Sequence, residues 1–406
     1  MSDKGEEPGL RRSLSLWQVV LYGLGVTIGA GIYVLVGVAA GKSGMNAPLA
    51  FVCAALLLSF TAASFAELGT RMPVAASEAA YVDAGFSRKW LTLTVGLVVV
   101  ATAAISAATV SVGAAGYVGV FLPIAAPARI ALVVVGMGLI ASLTTAQSVT
   151  LAGLMTLVEI GGLLVIVGAG LLHRDLLATA LPQMRPDFTI AAWTGILGTS
   201  LIAVFAFIGY EHVVNIAEEI QDPRRTLPRA LFLTLGLTTA LYVMVVFVAI
   251  AAVPPAELAA SGAPLAFAYE RLTGHPLGVM SAIAIVATLN GIVVHIIMIA
   301  RVLYGLARKG DLPGFLGRVH PRTKIPSNAT SLAIVAILAL ALMFPIEQLA
   351  QYTAQGALGI FLLVNLALIR IKRKDASQPG EFFHAPTWVP YAGAAASLFL
   401  LITSAI

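Results

Sequence analysis

The chain has 406 residues, 59% of them hydrophobic and only 11% charged, with a mean hydropathy of +0.96. That composition lies far outside the soluble range, where charged residues approach about a quarter of the chain, and it implies a polytopic helical membrane protein. The net charge of +5 does not point to nucleic acid, because the basic residues follow topology. With the N-terminus in the cytoplasm, only Lys42, Arg129, Arg174, Arg185 and Arg271 of the 24 basic residues fall outside, as the positive-inside rule requires. Cys53 is the single cysteine, which excludes an intrachain disulfide and gives no metal or redox signal. The start MSDKGEEPGLRR lacks a signal-peptide cleavage pattern, so the first span is expected to be retained.

Apolar runs predict eleven spans, near 17–40, 47–69, 90–121, 127–146, 150–172, 190–219, 228–252, 277–307, 328–345, 347–369 and 388–406. None alternates polar with apolar as barrel strands do. The first span carries GLGVTIGAGIY at 23–33. Each of its glycines costs about 1 kcal/mol of helix propensity relative to alanine, and an opened backbone in hydrocarbon needs partners from protein, water or ligand. Two readings fit: close helix packing through small residues, or a binding site made of backbone.

The second span ends in SFAELGTRMPVAASEAAYVDAGF, where Glu67 and Arg71 are spaced to pair and Pro73 stops the helix; a solvated cytoplasmic cap is the expected role. Ser106, Thr109 and Ser111 of the small-residue third span are candidates to face a cavity. Glu159 is the one carboxylate at mid-membrane depth in the first five spans. A titratable group there marks a pathway, a proton relay or a buried pair. The sixth span, TSLIAVFAFIGYEHVVNIAEEIQDPRRTLPRA, places Gly209 among Phe205, Phe207 and Tyr210 and follows it with Glu211 and His212. It reads as a second interrupted helix, an apolar half and an amphipathic half. The first and sixth spans thus correspond across about 180 residues, each opening a five-span half. An odd number of spans per half inverts the second copy, the arrangement of an inverted-repeat transporter. The implied division is 1–172, 190–372 and an extra helix at 388–406, with no clear residue-level repeat between the halves. His295 in the eighth span is a further intramembrane titratable group, and spans nine to eleven read as scaffold.

TIGAGIY at 27–33, FAELGTRMPVA at 65–75, FAFIGYEHVVNIAEEIQDPRRTLPRA at 205–230 and ARVLYGLARKGDLP at 300–313 together resemble the amino acid, polyamine and organocation transporter superfamily, including bacterial permeases similar to cationic amino acid carriers. The resemblance implies an all-α, five-plus-five inverted-repeat fold with interrupted first and sixth helices. It also implies a substrate carboxylate against the amides of Gly29, Ala30 and Gly31, where a positive helix end attracts an anion. The ammonium group would meet carbonyls of Ile28, Phe205, Ala206 and Ile208, with Phe205 as a lid and His295 at the side-chain pocket. Two features depart from the family pattern: Ala76 and Ser77 stand where GG is common, and Glu159 stands where several relatives carry lysine. Glu159 and Glu211 are the candidates for proton coupling or gating.

The expected function is secondary transport of amino acids across the cell membrane by alternating access, proton-coupled or by exchange. The alternative is a polyamine or amine carrier using Glu159 and Glu211. A channel would need a continuous polar stripe, and an enzyme would need a nucleophile with its base, a metal-ligand cluster or a phosphate loop; the sequence carries none of these. The expected partners are an amino acid or amine, protons and the lipid bilayer, with no cofactor, metal or nucleic acid.

Overall fold

The computed structural model describes residues 13–73, 77–143, 149–320, 325–374 and 382–403. In chain order the helices are α1 (Leu16–Thr27), α2 (Ala30–Ser43), α3 (Ala47–Arg71), α4 (Ser77–Phe86), α5 (Lys89–Val118), α6 (Ala126–Leu143), α7 (Val149–Leu172), α8 (Arg174–Ala180), α9 (Ile190–Phe207), a 3-10 helix at Tyr210–Glu219, α10 (Pro223–Ala252), α11 (Pro255–Ala260), α12 (Pro264–Thr273), α13 (Gly278–Arg308), α14 (Ser327–Met343), α15 (Ile346–Lys374) and α16 (Val389–Thr403). Among the described residues, seven helical stretches are long and apolar enough to cross a membrane, and four shorter apolar helices accompany them. Together they occupy all eleven expected spans, and the protein is an all-α polytopic membrane protein.

The order of elements repeats. A broken span (α1 and α2) is followed by a full span (α3), a short helix (α4) and three spans (α5, α6, α7). A second broken span (α9 and the 3-10 helix) is followed by α10, the short pair α11 and α12, and then α13, α14 and α15. Both breaks fall on an Ile-Gly pair, Ile28–Gly29 and Ile208–Gly209, 180 positions apart. This residue-level echo escaped the sequence reading because it is two residues long. The core has two main parts. One joins the broken helices to α3, α7 and α10. The other is built on α5, α6, α13 and α14, and Val34, Leu35, Ile202 and Phe205 reach into it from α2 and α9.

Two clasps tie the half-helices together at opposite faces. At the face where α1 begins, Ser13 and Leu14 donate their N–H groups to the carbonyl of Glu219, at 2.9 and 3.0 Å, and Gln221 donates to the carbonyl of Leu14 at 3.2 Å. At the far face, Ser43 at the end of α2 bonds Thr199 of α9 and donates to the carbonyl of Gly195 at 3.3 Å. Hence α1 pairs with the 3-10 helix, and α2 pairs with α9.

Glu67 forms the expected pair with Arg71, but the solvated setting is corrected: the Glu67 side chain is fully buried. One carboxylate oxygen accepts from Arg71 Nε and a terminal nitrogen at 3.0 and 2.7 Å. The other lies 2.7 Å from Lys372 Nζ of α15 and accepts the Ala385 N–H at 2.9 Å. The segment before α16 folds back over the end of α3 and seals this charge from water. Deeper in the same seam, Asn365 of α15 donates to the Thr61 hydroxyl and accepts from Ser64. Span ten and the segment after it are therefore bolted to α3 by polar groups that an apolar reading of the C-terminal third passes over. Ala76 lies outside the described residues, and Ser77 opens α4.

Replacing Glu67 strands two cations in a site closed by protein. Breaking a buried ion pair costs about 3–5 kcal/mol. Glu67→Ala should lower the unfolding temperature of the detergent-solubilised protein sharply, while Glu257→Ala, whose partner Arg271 is exposed, should leave it within about 1 °C, since exposed pairs contribute roughly 0–1 kcal/mol.

Candidate functional site

The two breaks touch. A Cβ on Gly31 would stand 2.9 Å from the Cα of Ala206, and one on Gly209 would stand 2.7 Å from the carbonyl oxygen of Val26. The first turn of α2 thus packs on the last turn of α9, while the turn after the second break packs on α1. Gly209 has φ +121°, a conformation that L side chains rarely adopt, so its glycine is required twice over. Gly29 sets the chain turning into α2 with ψ −142°, and the space where its side chain would be is open.

Breaking a helix frees amides on one side and carbonyls on the other. At the first break the opening amides of α2, from Gly29 to Gly31, have no carbonyl one turn back within the helix. At the second break, the Gly209 N–H donates to Glu211 Oε2 at 2.9 Å. Glu211 is buried and its other oxygen lies 3.8 Å from His212 Nε2, so its immediate work is to cap the second break. The second half of the sixth span is 3-10 rather than α over ten residues, an unusual length for that geometry and a mark of a hinge or a strained sequence.

Tyr242 of α10 joins the breaks. Its hydroxyl lies 2.8 Å from the carbonyl oxygen of Thr27 and 3.0 Å from that of Ala206, so one proton is shared between the last turns of α1 and α9. The Ala206 carbonyl, expected to face an ammonium group, is thus in part occupied by a phenol. The carbonyl of Phe205 accepts the Ile208 N–H at 3.2 Å, and its ring is buried in the cluster that includes Ile202, Val293 and residues of α2. The sequence reading missed Tyr242. The signal available was an aromatic hydroxyl in the middle of an apolar span, a group that usually finds a partner when buried.

Glu159 lies behind the first break. It is 1% exposed and neither carboxylate oxygen makes a hydrogen bond of standard geometry. Asn290 of α13 is its polar neighbour, and the rings of Tyr33 and Tyr242 lie within electrostatic range. The Tyr33 hydroxyl donates to the main-chain carbonyl of Glu159 at 2.5 Å, and Tyr117 of α5 donates to the carbonyl of Tyr33 at 2.6 Å. A tyrosine relay therefore ties α5, α2 and α7. His295 is half-buried on α13. Its Nδ1 stands 2.7 Å from the Gly291 carbonyl. His212 lies within electrostatic range of it. Thr109 and Ser111 turn their hydroxyls onto their own helix, at 2.9 and 2.7 Å from the carbonyls of Ile105 and Ala107.

A profile of the amino acid permease family matches residues 14–406. The chain belongs to the amino acid permease family. A branched-chain amino acid permease of Bacillus subtilis is 27% identical over 93% of this chain and 84% of its own length. An uncharacterized transporter of Mycobacterium tuberculosis is 31% identical, over 89% of this chain and 81% of its own. A cationic amino acid transporter of Arabidopsis thaliana is 27% identical over 89% of this chain and 63% of its own. Membership in the amino acid permease family supports transport of amino acids as the class of activity, and the relatives are permeases and transporters rather than enzymes.

The shared proton of Tyr242 gives a direct check on the geometry. Tyr242→Phe leaves two buried carbonyls without their donor, each costing about 1–3 kcal/mol. We expect a lower unfolding temperature, together with faster amide hydrogen exchange confined to residues 24–33 and 204–212. Uniform exchange along the chain would show that the hydroxyl does not hold the breaks.

Proposed function

We propose that the protein is a secondary amino acid transporter of the cell membrane, working by alternating access, with the substrate held between the two breaks. The observation that carries this reading is the contact of two interrupted helices, whose breaks bring helix-end amides and carbonyls together. The carboxylate of an α-amino acid would sit on the amides of Gly29, Ala30 and Gly31. Its ammonium group would be held by the carbonyls of Ile28, Ala206 and Ile208. Phe205 would close over the substrate, and His295 Nε2 would face its side chain. In this reading residues 1–172 and 190–372 are the two repeats, 388–406 lies outside them, and the N-terminus is cytoplasmic. The relatives' names span branched-chain and cationic amino acids at similar identity, so the substrate is read from the walls instead. Apolar side chains with one imidazole favour a small or neutral amino acid.

Alternating access requires the paired halves to move as units. The clasp at Leu14 and Gln221 would carry α1 with the 3-10 helix, and the one at Ser43 would carry α2 with α9. Glu159 supplies a place for a proton. It is a buried carboxyl beside Asn290, at the joint between α7 and the moving helices. The same buried carboxyl favours a second reading, an amine carrier in which Glu159 and Glu211 meet ammonium groups of the substrate.

Three measurements test these statements. A thermal-shift screen of α-amino acids and polyamines should find stabilisation by at least one neutral amino acid, of about 2.7 kcal/mol at a hundredfold excess over Kd; stabilisation by putrescine alone would select the amine reading. Gly31→Val, which forces a side chain against Ala206 and across the amides, should abolish that stabilisation; retained affinity moves the site elsewhere. Glu159→Gln should flatten the pH dependence of uptake into proteoliposomes while counterflow exchange remains measurable. An unchanged pH profile would remove Glu159 from coupling.

A further inference from the structure

A cleft of about 600 Å³ opens at the face where α1 begins, beside the start of α10. Its charged lining consists of Arg224, Arg225 and Arg229, all exposed. Its remaining wall includes Phe232 and Leu233 from the next turns of α10 and Phe383 from the segment that covers Glu67. Arg225, Arg229, Phe232 and Leu233 stand at i, i+4, i+7 and i+8, so they share one helix face. Along that face the chemistry changes from guanidinium to apolar over about 10 Å, at 1.5 Å per residue. That is the scale on which a bilayer passes from headgroup to acyl chain.

The level of the interface is marked independently. Trp17, Trp90 and Trp388, at the starts of α1, α5 and α16 on this same face, are 67%, 65% and 59% exposed, as expected of an aromatic belt. Phe383 lies five residues before Trp388 and is fixed by its N–H, which donates to the Thr70 hydroxyl at 3.1 Å. The cleft is therefore at headgroup depth, with a rigid far wall.

We propose that this cleft binds an anionic phospholipid, its phosphodiester on Arg224, Arg225 and Arg229 and its acyl chain along Phe232, Leu233 and Phe383. Guanidinium groups match phosphate oxygens bidentately, and basic pockets at membrane ends of helices suit lipid headgroups. A free anion would use the arginines but not the apolar wall.

The test is thermal unfolding of the purified full chain in detergent with dioleoyl phosphatidylglycerol, dioleoyl phosphatidylcholine or inorganic phosphate added. Phosphatidylglycerol should raise the unfolding temperature, and the other two should not. The triple variant R224Q/R225Q/R229Q should bind phosphatidylglycerol at least about tenfold more weakly, and Phe232→Ser should weaken it as well. A shift that persists in the triple variant overturns the proposal. So does an equal shift with phosphatidylcholine, or an equal shift with inorganic phosphate, which would make this a site for free anions. If the triple variant does not fold, Arg229→Gln alone is used, and native mass spectrometry of the unaltered protein counts retained lipids. Absence of preferential retention of phosphatidylglycerol would also overturn it.

Discussion

An interrupted helix in hydrocarbon is tolerated only when its freed backbone groups find partners, and the architecture follows from meeting that demand twice. At the second break a carboxylate from two residues ahead takes the Gly209 amide. At both breaks a single phenol from α10 reaches a carbonyl. At the first break the phenol takes the carbonyl of Thr27, and the amides from Gly29 to Gly31 open a new helix. The two breaks are therefore held differently, the second through both its amide and its carbonyl and the first through its carbonyl.

The glycines make this arrangement compact. Gly31 and Gly209 each lie against the main chain of the opposite broken helix, so the two interruptions fit together as a crossed pair rather than as two separate kinks. The clasps at the ends then make two pairs out of four half-helices, one pair gripped at each face. Phe205 sits on the boundary between the cluster of broken helices and the cluster on α5, α6, α13 and α14. Any rocking of one cluster against the other is felt at that ring.

Much of this was legible in the sequence because it is written in strong signals. Runs of apolar residues fixed all eleven spans, and the glycines at 29, 31 and 209 fixed both interruptions, since few other positions in a membrane helix tolerate such weakness. The partners of those interruptions were not legible. Tyr242, Tyr33 and Tyr117 sit in apolar runs that look alike from end to end, and what singles them out is a contact 36 to 215 positions away. Glu67 shows the same limit from the other side. Its i to i+4 partner was visible, but its burial depends on Lys372 and Ala385, about 300 residues later in the chain, and no local pattern carries that information.

That distance matters during synthesis. Glu67 leaves the ribosome 318 residues before Ala385, and at 5–20 residues per second the interval is roughly 15–60 s. Throughout it the second span holds a carboxylate with Arg71 as its only permanent counterion, and neither Lys372 nor the covering strand yet exists. The nascent protein must keep that end of the span at the wet surface of the bilayer. Only α15 and the segment after it allow it to be closed over, so burial of Glu67 comes late in assembly.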